Sequence, residues 1–418
     1  MTPDNADREA VTAAAPAPAP ATPAPSPGPA PASAPAPRAA RLNSLSGLRF
    51  PFAVGVFLFH AALGAPTLRL FADDGVENAF YRTIAPAGPP AVTFFFILSG
   101  FIMTWSAPAA DTARSFWRRR FVKVVPNYVV AWALWMTVIG ASGTPTWRVV
   151  VDFFMLQSWV PDVNTFFSLN VPGWSLSAEF FFYLAFPLLF HAARRIPARH
   201  LKFWLAGLVG LICFVPLIAY SVMSFGTARV PNEPAQSANY LWVVYIFPVS
   251  RVVDFALGIV VARAVMLGRW RNIGLIWSGV LFVAAYAAAF HIPYFYGVRV
   301  VFTVPAALLV AAAAIADNEG RFTLFRNRAM TWLGEISFAF YLLHYIVLVE
   351  TRSLLGTRMF GVPATIGIML LELAVSVLAA WALYALVERP LTRKWSRPRK
   401  AASAQTARVP RQRVASDG

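Results

Sequence analysis

The chain has 418 residues, of which 58% are hydrophobic and only 13% charged, with a formal net charge of +17. A soluble domain carries about 25% charged residues, so this composition excludes an ordinary soluble enzyme, and it excludes a wholly disordered chain as well. The single cysteine, Cys213, excludes an intramolecular disulfide and a cysteine-based zinc site.

In chain order, the first element is a stretch of almost pure Ala and Pro, residues 12–37, with ten prolines. Such a composition cannot pack a core and favours extended polyproline conformations, so residues 1–40 are expected to be a disordered spacer. It follows Asp4, Asp7 and Glu9 and has no apolar h-region, which argues against a secretory signal. Ten apolar spans come next, at residues 48–66, 89–107, 121–140, 174–191, 203–222, 241–262, 273–290, 298–316, 332–350 and 364–387. Each has about 18 to 24 residues, enough to cross a bilayer as a helix. A strand would leave backbone groups unpaired in lipid. The expected fold class is therefore all-α, a polytopic membrane helical bundle of about ten transmembrane helices occupying residues 41–395. The apolar segment 149–160 is too short to span and is expected to lie at the interface or re-enter. Residues 396–418 read as a basic cytoplasmic tail.

Charge supports this map. With the N-terminus inside, the inner segments hold 28 of the 36 Lys and Arg residues, which places both termini in the cytoplasm by the positive-inside rule. The same bias accounts for the basic balance. The run Arg389–Lys400 is expected against anionic lipid headgroups, and nucleic acid is not an expected partner, because no aromatic-interleaved basic domain lies outside the spans. The expected location is the plasma membrane, as a multi-pass protein. The long outer loops, 67–88, 141–173 and 223–240, are too short for a soluble domain, so chemistry belongs in the bundle or at its mouths.

Ionisable residues inside spans cost roughly 2.5–3.5 kcal/mol each at a helix centre, which marks them as candidates. His60 lies eleven residues after Arg49 on the same face, about 16 Å deeper. It reads equally as a hydrogen-bonded core residue or a general base, and Arg49 as a snorkelling cation. Ser175, Glu179 and Tyr183 step by four along one helix face within an aromatic run, where a carboxylate must be paired, protonated or functional. Arg251 or Arg299 is the expected partner if Glu179 is structural. Arg120 and Lys123 share a face at the cytoplasmic mouth and suit phosphates. Gly334, Ser337, Tyr341 and His344 form one polar stripe, which favours helix packing slightly over catalysis. Arg251 and Asp254 are expected to pair with each other or with neighbours. Ser99 and Gly100 read as a close helix crossing, Cys213 as core, and His191 and His200 as surface residues. No P-loop, nucleophile elbow or zinc spacing occurs. The residues alone leave an intramembrane transferase and a transporter or flippase for a glycan or lipid-linked intermediate both open.

The motifs narrow this. Ser46-Gly47-Leu48-Arg49 with His60, Phe95-Phe96-Ile97-Leu98-Ser99-Gly100-Phe101, the Arg120–Pro126 loop, Trp174-Ser175-Leu176 with Glu179, Phe182 and Tyr183, Ser337-Phe338 with Tyr341, Leu342 and His344, and Glu388-Arg389-Pro390 occur in the order of one family. From Arg41 to Trp395 the chain resembles the acyltransferase 3 family of integral membrane acyltransferases. The Arg120 loop and the Trp174 segment are most similar to the actinomycete branch that acylates macrolide sugars. Two positions depart from the family pattern: Ser46 stands where Asp is usual, and Lys123 where a second Arg is usual, which keeps charge but loses the bidentate fork.

The resemblance implies transfer of an acyl group from acyl-CoA, as co-substrate, to a hydroxyl of a carbohydrate or glycosylated metabolite, with no metal and no bound cofactor. It implies His60 as the base and Glu179 as a partner orienting it. Arg49, Arg120 and Lys123 would hold the acyl-CoA phosphates, and Ser175, Tyr183, Arg251, Tyr341 and His344 are supporting residues.

Overall fold

The computed structural model describes residues 42–63, 68–108, 111–224, 226–231 and 233–395. The expected spacer over 1–40 and the expected tail over 396–418 lie outside the described residues. In chain order the elements are α1 (Asn43–Ala62), α2 (Asp74–Ile84), α3 (Gly88–Trp105), α4 (Ala113–Val138), α5 (Thr146–Phe153), α6 (Val163–Phe166), α7 (Gly173–Arg194) and α8 (Leu201–Val222). A two-stranded antiparallel hairpin follows, β1 (Arg229–Val230) and β2 (Glu233–Ser237), with Val230 opposite Glu233. Then come α9 (Ala238–Leu241), α10 (Pro248–Met266), α11 (Leu275–Ala289), α12 (Val301–Asn318), α13 (Arg328–Leu355), α14 (Val362–Leu383) and α15 (Arg389–Trp395).

Among the described residues, nine helical stretches are long and apolar enough to cross a membrane. The protein is an all-α, multi-pass membrane bundle. The expected ten full-length spans are corrected in one place. The span at 273–290 forms α11, of 15 residues, about 22 Å long against a hydrocarbon core of about 30 Å. Gly274, at φ +84°, turns the chain into the helix, and Pro293 follows soon after its end. The segment 149–160 does not span. It is divided between α5 and a single 3₁₀ turn, Gln157–Trp159.

Close crossings set the packing. A Cβ on Gly100 of α3 would overlap the carbonyl oxygen of Phe255, and one on Gly258 of α10 would overlap that of Ile97. Without a hydrophobic force between helices in lipid, such reciprocal backbone contact is what holds two helices together. Gly334 of α13 meets the backbone of Ser46 in the same way. The start of α1 is closed by a buried carboxylate: Asp317 accepts from Ser44 N (2.8 Å) and Ser44 Oγ (2.6 Å). Orphan amides and the positive end of the helix dipole favour an anion there. This brace, with the Gly334 contact, sets how α1 sits against α12 and α13. Cys213 is half-buried rather than core, and His191 and His200 are exposed.

Candidate active site

Two cavities lie along the bundle. The first, about 140 Å³, is lined by Arg49, Ser99, Arg120, Lys123, Ser175, Glu179, Tyr183, Ser337 and Tyr341, among apolar neighbours. The second, about 570 Å³, is lined by His60, Tyr81, Trp174, Glu233, Tyr245, Tyr294, Tyr341 and Tyr345, among others. Val92 and Tyr341 line both. We call them the basic and the aromatic cavity.

The basic cavity collects cations from two helices. α4 begins with a Thr112 cap, whose side chain accepts from Ser115 N, and its first three turns carry five cations, Arg114, Arg118, Arg119, Arg120 and Lys123. Arg119 turns to Asp111 and Ser115, whereas Arg120 and Lys123 line the cavity. Arg120 lies over the rings of Phe116 and Tyr183, 5.5 and 5.9 Å from their centroids. Among the described residues its buried Nε has no hydrogen-bond partner. Lys123 Nζ is 3.8 Å from Glu388 Oε1, and Asn127 Nδ2 donates to Glu388 Oε2 at 3.1 Å. Glu388 closes a π-helical turn, Tyr384–Glu388, a distortion common at functional sites.

Glu179 also lines this cavity, where Ser99 Oγ donates to it at 2.8 Å. Two expectations about Glu179 are therefore corrected. It does not face His60, because α7 starts beside the aromatic cavity at Trp174 and Glu179 lies about two-thirds of the way down the next two turns, near the Arg49 end of α1. Nor do Arg251 or Arg299 pair with it. Both turn to Asp254, whose Oδ2 is 3.7 Å from Arg251 Nη1 and 2.8 Å from Arg299 Nη2. All three side chains are wholly buried. Arg251 lines neither cavity. Its guanidinium stands 5.0 Å from the ring centroids of both Phe96 and Tyr245, one facing each cavity.

The residue that meets His60 is His344. Nδ1 of His60 is 3.0 Å from Nε2 of His344. Nδ1 of His344 is 2.9 Å from Tyr341 O and 3.2 Å from Phe340 O. Carbonyl oxygens only accept, so His344 Nδ1 carries a proton. A neutral His344 then accepts at Nε2, which assigns the His60 proton to Nδ1. His60 Nε2 is left with its lone pair, as a general base requires. Phe59 and Tyr345 flank the His60 ring, and Trp135 stacks on Tyr345. The His60 side chain is only 4% exposed. The polar stripe of α13 thus divides: Gly334 packs, while Tyr341 and His344 belong to the site. Tyr341 Oη is 2.7 Å from Ser175 Oγ and donates to Pro172 O.

Two residues at the basic cavity stand in the sequence as motif positions and not as site residues: Ser99 reads with Gly100 as a helix crossing, and Glu388 lies beyond the last apolar span. A further buried group supports α4 from outside the spans. Tyr128 donates to Asp152 Oδ1 at 3.1 Å. Burial pushes Asp152 up to about 7, against the opposite pull of its hydrogen bonds with Tyr128 and Ser168.

Comparison with known proteins adds independent information. Residues 42–385 match a family described as an acyltransferase domain. The chain is 37% identical over 379 residues to "Acyltransferase MdmB" of Streptomyces mycarofaciens, covering 88% of this chain and 96% of that protein. No solved structure matches.

Proposed function

The chain belongs to this acyltransferase family and is an acyltransferase, and from that premise we propose that it is an O-acyltransferase of the cell membrane, moving an acyl group from acyl-CoA to a hydroxyl of a carbohydrate or glycosylated metabolite. The observation that carries this reading is the pair of unlike cavities meeting at Tyr341. Arg49, Arg120 and Lys123 supply cations for the phosphates of acyl-CoA in and around the basic cavity. The aromatic cavity has room for an amphipathic glycoside, with apolar walls for its body and few polar groups to orient it. The resemblance to the macrolide-sugar branch favours a glycosylated macrolide.

In this reading the acceptor hydroxyl lies against His60 Nε2. Its oxygen attacks the thioester carbonyl as Nε2 takes the proton, forming the new C–O bond and a tetrahedral oxyanion. His344 holds the His60 ring and its tautomer through the 3.0 Å contact. Tyr341, at the junction, supplies its hydroxyl to the oxyanion by turning from Pro172 O, with Ser175 Oγ donating to it. Collapse breaks the C–S bond, and the proton held by His60 neutralises the departing thiolate. Glu179 acts in the basic cavity, where its charge balances Arg49 and Arg120.

The test is thioester turnover by the purified full chain in detergent with labelled acetyl-CoA and propionyl-CoA. Release of CoA should depend on a hydroxylated glycoside, with label appearing on that glycoside. CoA release unaffected by every acceptor, or no release at all, would count against the proposal.

A further inference from the structure

The aromatic cavity contains one carboxylate. Among the described residues, nine that line it are aromatic and Glu233 is its only acid. Tyr81 Oη donates to Glu233 Oε1 at 2.9 Å. Tyr294, from the loop between α11 and α12, lines the same wall and lies within electrostatic range of both Glu233 and Tyr81. Among the described residues Glu233 has no ion pair. Arg82 also lines the cavity, but it is exposed and does not reach the carboxylate as a salt bridge.

Two separate segments bring these groups together. Tyr81 stands on α2, which Tyr286 of α11 ties down by donating to Thr83 O at 2.6 Å. Glu233 opens β2, opposite Val230, and the end of the hairpin loop is held by Asn239 Nδ2 donating to Ser224 O. A partly buried carboxylate in a cavity lined by tyrosines, with no ion pair among the described residues, presents the surroundings that attract an ammonium: a negative charge with aromatic rings in the same cavity. A neutral hydroxyl donates to such a carboxylate but leaves its charge uncompensated, whereas a protonated amine both donates and neutralises it.

Resting on the reading of this cavity as the acceptor site, we propose that Glu233, flanked by Tyr81 and Tyr294, is a cation subsite that takes a protonated amine carried by the acceptor. The acceptor class is thereby narrowed to amino-substituted glycosides, with the amine at Glu233 and a hydroxyl of the same molecule at His60. The subsite selects and orients the acceptor and takes no part in bond making.

The experiment compares two probes on the purified full chain, without acyl-CoA, by calorimetric titration at neutral pH. One is a phenyl glycoside bearing a dimethylamino group. The other is the same glycoside with methoxy in place of the amine. The amine probe should bind at least about tenfold tighter, as expected for a charge pair backed by cation–π contact. Glu233→Gln keeps an oxygen for the Tyr81 hydrogen bond but removes the charge. It should abolish that preference and leave methoxy-probe binding within about twofold. A purely structural Tyr81–Glu233 tie predicts no change in preference. Equal affinities in the wild type, binding of neither probe, or a preference that survives in Glu233→Gln would each overturn the subsite. An intact preference with no thioester turnover on any acceptor would leave the subsite standing and remove the acyl-transfer reading alone.

Discussion

The two cavities are built differently. The basic one is small, and its polar side chains all stand on long helices: α1, α3, α4, α7 and α13. Its ionic groups are tied to neighbouring side chains, Lys123 to Glu388 and Glu179 to Ser99. The aromatic one is about four times larger and takes much of its wall from α2, the hairpin, and the loop between α11 and α12. Sites on rigid helices hold one geometry, whereas loops on a scaffold vary with the ligand they serve. Under the proposed function, the contrast matches a fixed donor at one end and a protein-specific acceptor at the other. Among the described residues, the one imidazole lining the aromatic cavity is His60, borne on the long helix α1 and held by His344 of α13.

The largest effect should come from breaking that exception. His60→Ala should lower acyl transfer by at least about 10²-fold while acyl-CoA binding persists. His60→Asn should fail equally, since an amide cannot take a proton. Activity restored by Asn would make His60 a hydrogen-bonding core residue. The second test is confined to the basic cavity. Reversing charge at both Arg120 and Lys123 should weaken acyl-CoA binding about 10- to 100-fold, with acceptor binding unchanged. Unaltered acyl-CoA affinity in an inserted double variant would leave these residues a topological role only.

Two smaller effects test the scaffold shared by both cavities. Gly100→Ala places a methyl against the Phe255 carbonyl and should destabilise the α3–α10 crossing by about 1–3 kcal/mol, read as a lower melting temperature. The smallest concerns Asp152. Its folded pKa of about 7 lies above the unfolded value near 4. A raised carboxyl pKa means the folded state binds the extra proton, so stability is greatest at low pH and falls as pH rises from about 4 through 7. Between about pH 6 and 7.5 the wild type should lose about 1 kcal/mol, and Asp152→Asn should flatten that slope. A slope unchanged in the variant would assign the pH dependence elsewhere.

Residues alone left a transporter open beside an enzyme, and family membership decided for the acyltransferase. Most of the basic cavity was legible because its members repeat at helical spacing on elements that hydropathy reveals. Arg120 and Lys123 share one face of α4, and Ser175, Glu179 and Tyr183 share one face of α7. The expected span too short to cross the bilayer is α11, where hydropathy runs over 273–290 but the positive-φ turn at Gly274 and the approach to Pro293 leave a helix of 15 residues.

What the sequence by itself determined was the local part: which stretches are apolar enough to be helices in lipid, and which faces of those helices carry polar groups. Both follow from composition and a 3.6-residue period, and neither needs a partner helix. Only the tertiary structure decided who meets whom. The family resemblance implies that Glu179 and His60, ionisable residues of two separate spans, form a pair. Yet α1 sits with its start against Asp317 and Gly334, which puts His60 beside His344, 284 positions away, and leaves Glu179 with Ser99. Arg251 and Arg299 share Asp254 for the same reason: buried charges take whichever opposite charge the helix packing brings within reach. The aromatic cavity was hidden most completely. Tyr81, Glu233 and Tyr294 belong to three connecting segments with no common period, and nothing but the packed arrangement of those segments places them on one wall.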